Sequence, residues 1–246
     1  MIIASTAHAE SDIQGDKAEP VFLHYYKPIY VAYGNPITKL QYGFRTELSD
    51  RVPFNFAYSQ VIFWYLSKQT KPFLDATYNP EFFYRLKVDR PLLHLVDFGF
   101  FEHNSNGKAG EQTAGVPLGR SYDQSYIRFF YSFDPSVQLS VKLRQLYDIG
   151  STNKDISNYI GPVEIEARYG DFFKDIFDRS EVSVDLSPGG HYADRWDLGG
   201  YQVSSTLHIS GMHFTPAFYI QYYHGYAESL IDYDHLVDVW RAGLRF

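Results

Sequence analysis

The segment His103-Asn104-Ser105-Asn106-Gly107 places an imidazole and a hydroxyl two residues apart. On an extended chain such residues project from one face, so a base and a nucleophile can stand side by side. Serine attacks an ester only when a neighbouring base takes its proton, and that base needs a third group to hold its tautomer. Asp123, in Arg120-Ser121-Tyr122-Asp123, opens the next stretch of strand-like sequence. If the two strands pair antiparallel, Asp123 falls near His103 and can be the orienting group. Taken alone, each feature also has a plainer reading: a surface hydrogen bond for H-x-S, a strand-start carboxylate for Asp123 and a turn for Gly107.

These side chains need strands to carry them, and the chain is written in strand period. Helical spacing is scarce, whereas two-residue alternation recurs. In 137–144, Val137, Leu139, Val141 and Leu143 oppose Gln138, Ser140, Lys142 and Arg144. Strands are predicted at 27–34, 39–49, 54–66, 80–89, 93–105, 121–133, 136–148, 157–170, 179–187, 199–210, 213–225 and 234–246. That is an even number, with turn-rich sequence between them and no linker that would divide the chain into domains.

Composition decides which β architecture these strands suit. The 246 residues are 18% aromatic, 45% apolar and 21% charged, with net charge -7. Such a chain folds, and its acidity argues against general nucleic-acid binding, which needs a basic surface. It has no cysteine, so disulfides and thiol chemistry are excluded. No apolar run approaches the length of a membrane helix. The strands have one aromatic-rich apolar face and one face rich in charge, and the last of them ends on Phe246. A soluble sandwich turns polar faces to water, but this pattern better fits an outer-membrane barrel with a polar lumen and a lipid-facing wall. The expectation is therefore an all-β, twelve-stranded antiparallel transmembrane β-barrel over 27–246. A non-catalytic porin and a soluble carbohydrate-binding β protein are the competing classes. Residues 1–26 read as an N-terminal tail, and Ala7-His8-Ala9 within them has the form that signal peptidase cuts after, suggesting the remnant of an export signal.

Parity puts Asp123 with Ser125, Ile127, Phe129 and Tyr131, on the lipid side of such a barrel. A catalytic group on that wall would act on a lipid. The same parity exposes Gln60, an amide among Phe54, Phe56, Tyr58, Ile62 and Trp64. Unmet in hydrocarbon, its polar atoms would cost on the order of a few kcal/mol, so a partner subunit or a neighbouring tyrosine is expected to meet them.

His103-Asn-Ser-Asn-Gly107 with Arg120-Ser-Tyr-Asp123 resembles the H-x-S-N-G and R-S-W-N pair of the bacterial outer-membrane phospholipase A family. Gly225-Tyr-Ala-Glu-Ser-Leu-Ile-Asp-Tyr233, Asp155-Ile-Ser-Asn-Tyr-Ile-Gly161 and Tyr78-Asn-Pro-Glu-Phe82 are similar to family segments in the same order, and the resemblance spans about 27–246. It implies a barrel of the bacterial outer membrane that hydrolyses acyl esters of phospholipids and lysophospholipids, switched on by calcium and homodimerisation. His103 matches the base and Ser105 the nucleophile. Asp123 stands where the family usually has Asn, and an ionised carboxylate should orient His103 at least as well and shift the pH profile. Gly107 matches the backbone donor to the oxyanion, assisted by water on calcium. The calcium ligands map to Lys108 through its carbonyl, to Gly119 in place of Ser and to Thr152 in place of Asp, with a partner-subunit ligand near Thr70. Losing a Ser and an Asp implies weaker calcium binding or recruited ligands, with Glu111 a candidate. Gln60 matches a family Gln at the dimer interface.

Overall fold

The computed structural model describes residues 23–49, 51–66, 73–209, 211 and 216–246. Twelve strands follow one another: β1 (Tyr30–Gly34), β2 (Thr38–Glu47), β3 (Phe54–Trp64), β4 (Phe73–Lys87), β5 (Leu93–Ser105), β6 (Ser121–Asp134), β7 (Val137–Tyr147), β8 (Val163–Gly170), β9 (Phe177–Gly189), β10 (Arg195–Ile209), β11 (Ala217–Gly225) and β12 (Val237–Arg245). Each pairs antiparallel with its sequence neighbour, and β12 pairs with β1, Ala242 facing Tyr33 and Leu244 facing Val31. The sheet is a closed barrel without free edges. That closure is what lets strands cross hydrocarbon, because backbone donors and acceptors pair with a neighbouring strand instead of facing lipid from an open edge.

Burial is inverted relative to a soluble protein, as the alternation requires. On β6, Gln124 is 2% exposed while Ile127 is 37% exposed; on β12, Arg241 is 3% exposed and Trp240 67%. Charge lines the bore. Lys142 of β7 stands opposite Arg128 of β6 and Glu164 of β8, and its ammonium pairs with Glu102 of β5 at 2.6 Å. Arg85 and Asp97 form a two-bond pair at 2.8 and 2.7 Å. Buried charges are tolerated because they are mutually paired and hydrogen-bonded. The bore keeps a cavity of about 1350 Å³, lined from Arg90 and Asp134 at the short-turn end to Tyr159 and Ala227 beneath the long loops.

The three longest connections among the described residues, 106–120, 148–162 and 226–236, all lie at one end of the barrel. Two of them fold inward: Ile156, Ile160, Leu230 and Tyr233 pack with Tyr122 into a buried cluster over that end. Glu228 fixes the cap to the wall, pairing with Arg241 at 2.6 Å and Lys39 at 3.2 Å. Outer-membrane barrels keep short turns on the periplasmic side and long loops outside, so the capped end is the outer one.

Some predicted boundaries move. The strand expected from 157 begins at Val163, because Ile156–Asn158 form a 3-10 turn that sends Ile156 and Ile160 into the cap. β4 begins at Phe73 instead of 80: Pro80, ordinarily a strand start or edge residue, lies within it. The strand expected from 27 begins at Tyr30, and His24–Tyr25, expected in the tail, pair with β2 ahead of it. Most of the tail and signal remnant expected over 1–26, residues 1–22, and the start of the strand expected from 213 lie outside the described residues.

Candidate active site

Strand pairing alone brings His103 and Asp123 together. In the β5–β6 register His103 faces Asp123, Asn104 faces Tyr122 and Ser105 faces Ser121. The imidazole Nδ1 lies 2.6 Å from Asp123 Oδ1. A carboxylate accepts only, so Nδ1 carries the proton and Nε2 is left as the basic nitrogen. The imidazole is about one-third exposed and the carboxylate more sheltered. Phe101 lies nearly parallel to the imidazole, 6.4 Å between centroids. Tyr147 of β7 faces Asp123 from the other side. All of these groups project from the lipid-facing wall.

Ser105 occupies the same wall at the end of β5. Its Oγ accepts a hydrogen bond from the Gly107 N–H at 3.2 Å, so the backbone donor expected for an oxyanion lies beside the nucleophile. Among the described residues no hydrogen bond joins Ser105 to His103; such contacts are often long before substrate is bound. Gly107 has φ +68°, and a Cβ there would stand 2.9 Å from the Tyr78 ring. Both conformation and space therefore call for glycine.

Two asparagines hold the frame, and neither was singled out from the sequence. Asn106 closes the 106–120 loop: its Oδ1 accepts from the Arg120 and Lys108 N–H groups at 2.9 and 3.3 Å, and its Nδ2 donates to Leu118 O at 2.9 Å. Asn153, fully buried, exchanges bonds with Ser121, receiving its N–H at 3.3 Å and donating to its carbonyl at 3.0 Å. Both amides imitate backbone pairing where the ladder ends. Asn106 lay in the motif, and Asn153 in a stretch legible only as a turn.

The residues mapped to calcium come partly together. Thr152 Oγ1 donates to the Gly119 carbonyl, which also accepts from the Arg120 guanidinium at 3.0 Å. The Lys108 carbonyl accepts from Glu111 N–H at 3.0 Å, while its ammonium donates to Leu74 O at 2.7 Å. Thr70 lies outside the described residues. Calcium wants six to eight oxygens, several of them anionic. This set is neutral, already hydrogen-bonded and crowded by a guanidinium, and no cluster of three or more His, Asp or Glu suited to a metal exists among the described residues. As arranged, it does not make a calcium site. Glu111 is exposed and turned into the loop hairpin, bonding Leu118 N–H through its carbonyl at 2.9 Å.

Gln60 on β3 is not stranded in hydrocarbon. Its Oε1 accepts from the Tyr58 hydroxyl at 3.0 Å and from that of Tyr42. Among the described residues its Nε2 donates to no protein group.

Residues 35–246 match the family model described as Phospholipase A1. The phospholipase A1 of Proteus vulgaris is 29% identical over 195 residues, 76% of this chain and 60% of that protein. That of Salmonella typhimurium is 30% identical over 186 residues, 72% and 56% respectively. The chain thus spans little more than half the length of these curated relatives. The solved outer membrane phospholipase A from Escherichia coli superposes with a TM-score of 0.77 at 21% identity, covering 95% of this chain and 94% of that one. The Salmonella typhi outer membrane phospholipase dimer with bound calcium gives 0.75 at 21% identity over 93% of each chain. With the family model covering most of its length and every strand of the barrel in place, the chain belongs to the phospholipase A1 family of bacterial outer-membrane proteins.

Proposed function

We propose that the chain hydrolyses acyl esters of phospholipids and lysophospholipids at the outer face of the membrane. The observation that carries this reading is the 2.6 Å hydrogen bond between His103 and Asp123 on the lipid-facing wall, two residues from Ser105 and at the long-loop end. Ser105 Oγ attacks the ester carbonyl while His103 Nε2 takes its proton. The Gly107 N–H donates to the oxygen that becomes negative. The imidazolium returns its proton to the departing glycerol oxygen, leaving an acyl-Ser105, and a water activated by His103 then releases the fatty acid. Asp123 keeps the tautomer and compensates the charge of the imidazolium. Substrate reaches the site sideways from the bilayer, its chains against the aromatic wall and its ester at the depth of the interface.

Homodimerisation and calcium belong to the same reading, in unequal measure. The Salmonella typhi relative is a dimer with bound calcium. A second subunit against β3 would give Gln60 Nε2 an acceptor and enclose an acyl chain between two walls. Calcium dependence is read as weak, since the donors at Lys108, Gly119 and Thr152 lack charge. Hydrolysis of a mixed-chain phospholipid by wild type and Ser105→Ala, with and without calcium, tests the whole. Release of fatty acid by wild type and none by Ser105→Ala is expected, and sulfonyl fluoride should label Ser105 alone. Equal hydrolysis by both proteins would overturn the reading.

A further inference from the structure

The Tyr78-Asn79-Pro80 segment of β4 lies directly behind the candidate catalytic strand and has no part in the chemistry so far. The pairs Tyr78↔Ser105 and Glu81↔Glu102 leave Pro80 opposite His103. Proline has no N–H, so at this rung β4 cannot donate to the His103 carbonyl from its backbone. A buried carbonyl without a donor is costly, and here it belongs to the residue whose ring must be aimed.

The donor comes from a side chain. Asn79, buried in the bore, gives its Nδ2 to the His103 carbonyl at 3.0 Å. The same amide group reaches Glu102 Oε1 at 3.0 Å and Asn104 Oδ1 at 3.1 Å, so it touches three consecutive residues of β5. Its own oxygen is held from two sides, by Lys27 Nζ and by Ser59 Oγ, each at 2.9 Å. The amide therefore has a single orientation: exchanging its O and N would set a donor against Lys27 and an acceptor against Glu102. Just before His103 the β5 register slips, between Gly99 and Glu102. A slipped strand followed by an undonated rung would leave the His103 backbone poorly fixed.

We infer that Asn79 is a positioning residue for His103, supplying through its side chain the ladder hydrogen bond that Pro80 cannot give. This rests on the reading of His103 as the base. Asn79 faces the bore and the reacting groups face lipid, so it acts through the backbone and meets no substrate. Its loss should leave KM unchanged and lower kcat.

The test is a rescue in the full-length barrel, folded in detergent micelles and assayed on a phospholipid in those micelles. Asn79→Ala should lower kcat about ten- to a hundredfold at unchanged KM, the scale of a small misplacement of a reacting group. Adding Pro80→Ala to it restores a backbone N–H opposite His103 and should recover most of the lost kcat. Wild-type kcat in Asn79→Ala overturns the inference, and so does failure of the double variant to recover. If Asn79→Ala gives no folded barrel, judged by gel mobility before and after boiling, Ser59→Ala removes one of the two bonds orienting the amide. It should cost kcat about two- to threefold at unchanged KM, and wild-type kcat there overturns the inference too. Ser105→Ala and His103→Ala separate the two levels: if they retain activity the catalytic reading fails, whereas if they are inactive and Asn79→Ala is not impaired, only the role of Asn79 fails.

Discussion

His103 and Asp123 face each other across the β5–β6 ladder with 2.6 Å between Nδ1 and Oδ1, on the side of the barrel turned to lipid. The motif that Arg120-Ser-Tyr-Asp123 resembles ends in Asn, so Asp123 brings a charge where that resemblance implies an amide. An amide oxygen can still accept from Nδ1, so Asp123→Asn should keep the orientation and retain activity within about tenfold. Asp123→Ala should lose about a thousandfold or more, as expected when the tautomer is no longer held. The measurement is kcat/KM for the three proteins. Wild-type kcat/KM in Asp123→Ala would remove Asp123 from the mechanism.

Gly107 combines a left-handed backbone with a Tyr78 ring 2.9 Å from where a Cβ would stand. Gly107→Ala should turn its N–H away from Ser105 and reduce kcat about a hundredfold, the scale of one oxyanion donor. Adding Tyr78→Ala relieves the contact but not the backbone strain, so recovery should be partial. Full recovery in the double variant would show that space alone was at issue.

The donors that the resemblance maps to calcium, at Lys108, Gly119 and Thr152, carry no negative charge. Thr152→Asp combined with Gly119→Ser supplies a carboxylate and a hydroxyl, and should lower the calcium concentration for half-maximal activity by about tenfold or more. Wild type should stay active in chelator to a far greater extent than the double variant. Abolition of wild-type activity by chelator would mean that this neutral donor set rearranges into a tight site.

Gln60→Leu removes the acceptor shared by Tyr42 and Tyr58 together with the Nε2 available to a partner. Crosslinked dimer and activity should fall together, by about 1 kcal/mol of association, a typical value for a polar contact between membrane segments. If dimer persists while activity falls, the residue serves the wall of its own subunit.

The cap makes a pH prediction of its own. Burial alone would push the Glu228 carboxyl upward, but Lys39 and Arg241 outweigh it and hold it below the usual glutamate range. A lowered carboxyl contributes stability that is complete above its unfolded value and disappears as pH falls through the folded one. Glu228→Gln should thus cost on the order of 3 kcal/mol at pH 7, with two cations left unpaired, and the difference should vanish in strong acid. Thermal unfolding of both proteins from pH 7 to pH 3 measures it. A gap as large at pH 3 as at pH 7 would exclude this pairing as the source.

What could be read from the sequence was local. Alternation along 137–144 marks which residues of β7 face lipid, because strand period acts within one segment. His103 and Asp123 could be matched across a hairpin because they come from consecutive strands. The pairing of Lys142 with Glu102 reaches across β6 and depends on stagger between strands that no single segment encodes. Pro80 shows the same limit: read alone it ends a strand, whereas closure of the barrel carries β4 through it. The cap depends on Ile156, Ile160 and Leu230 leaving the wall pattern to pack on one another, which periodicity registers only as irregular sequence.

That cap bears on the bilayer as an electrical barrier. A twelve-stranded cylinder lined by carboxylates and guanidinium groups would by itself leak small ions, and a leak would discharge whatever gradient the membrane sustains. Ile156, Ile160, Leu230 and Tyr233 set apolar side chains across the outer mouth, where ions would otherwise enter the charged bore.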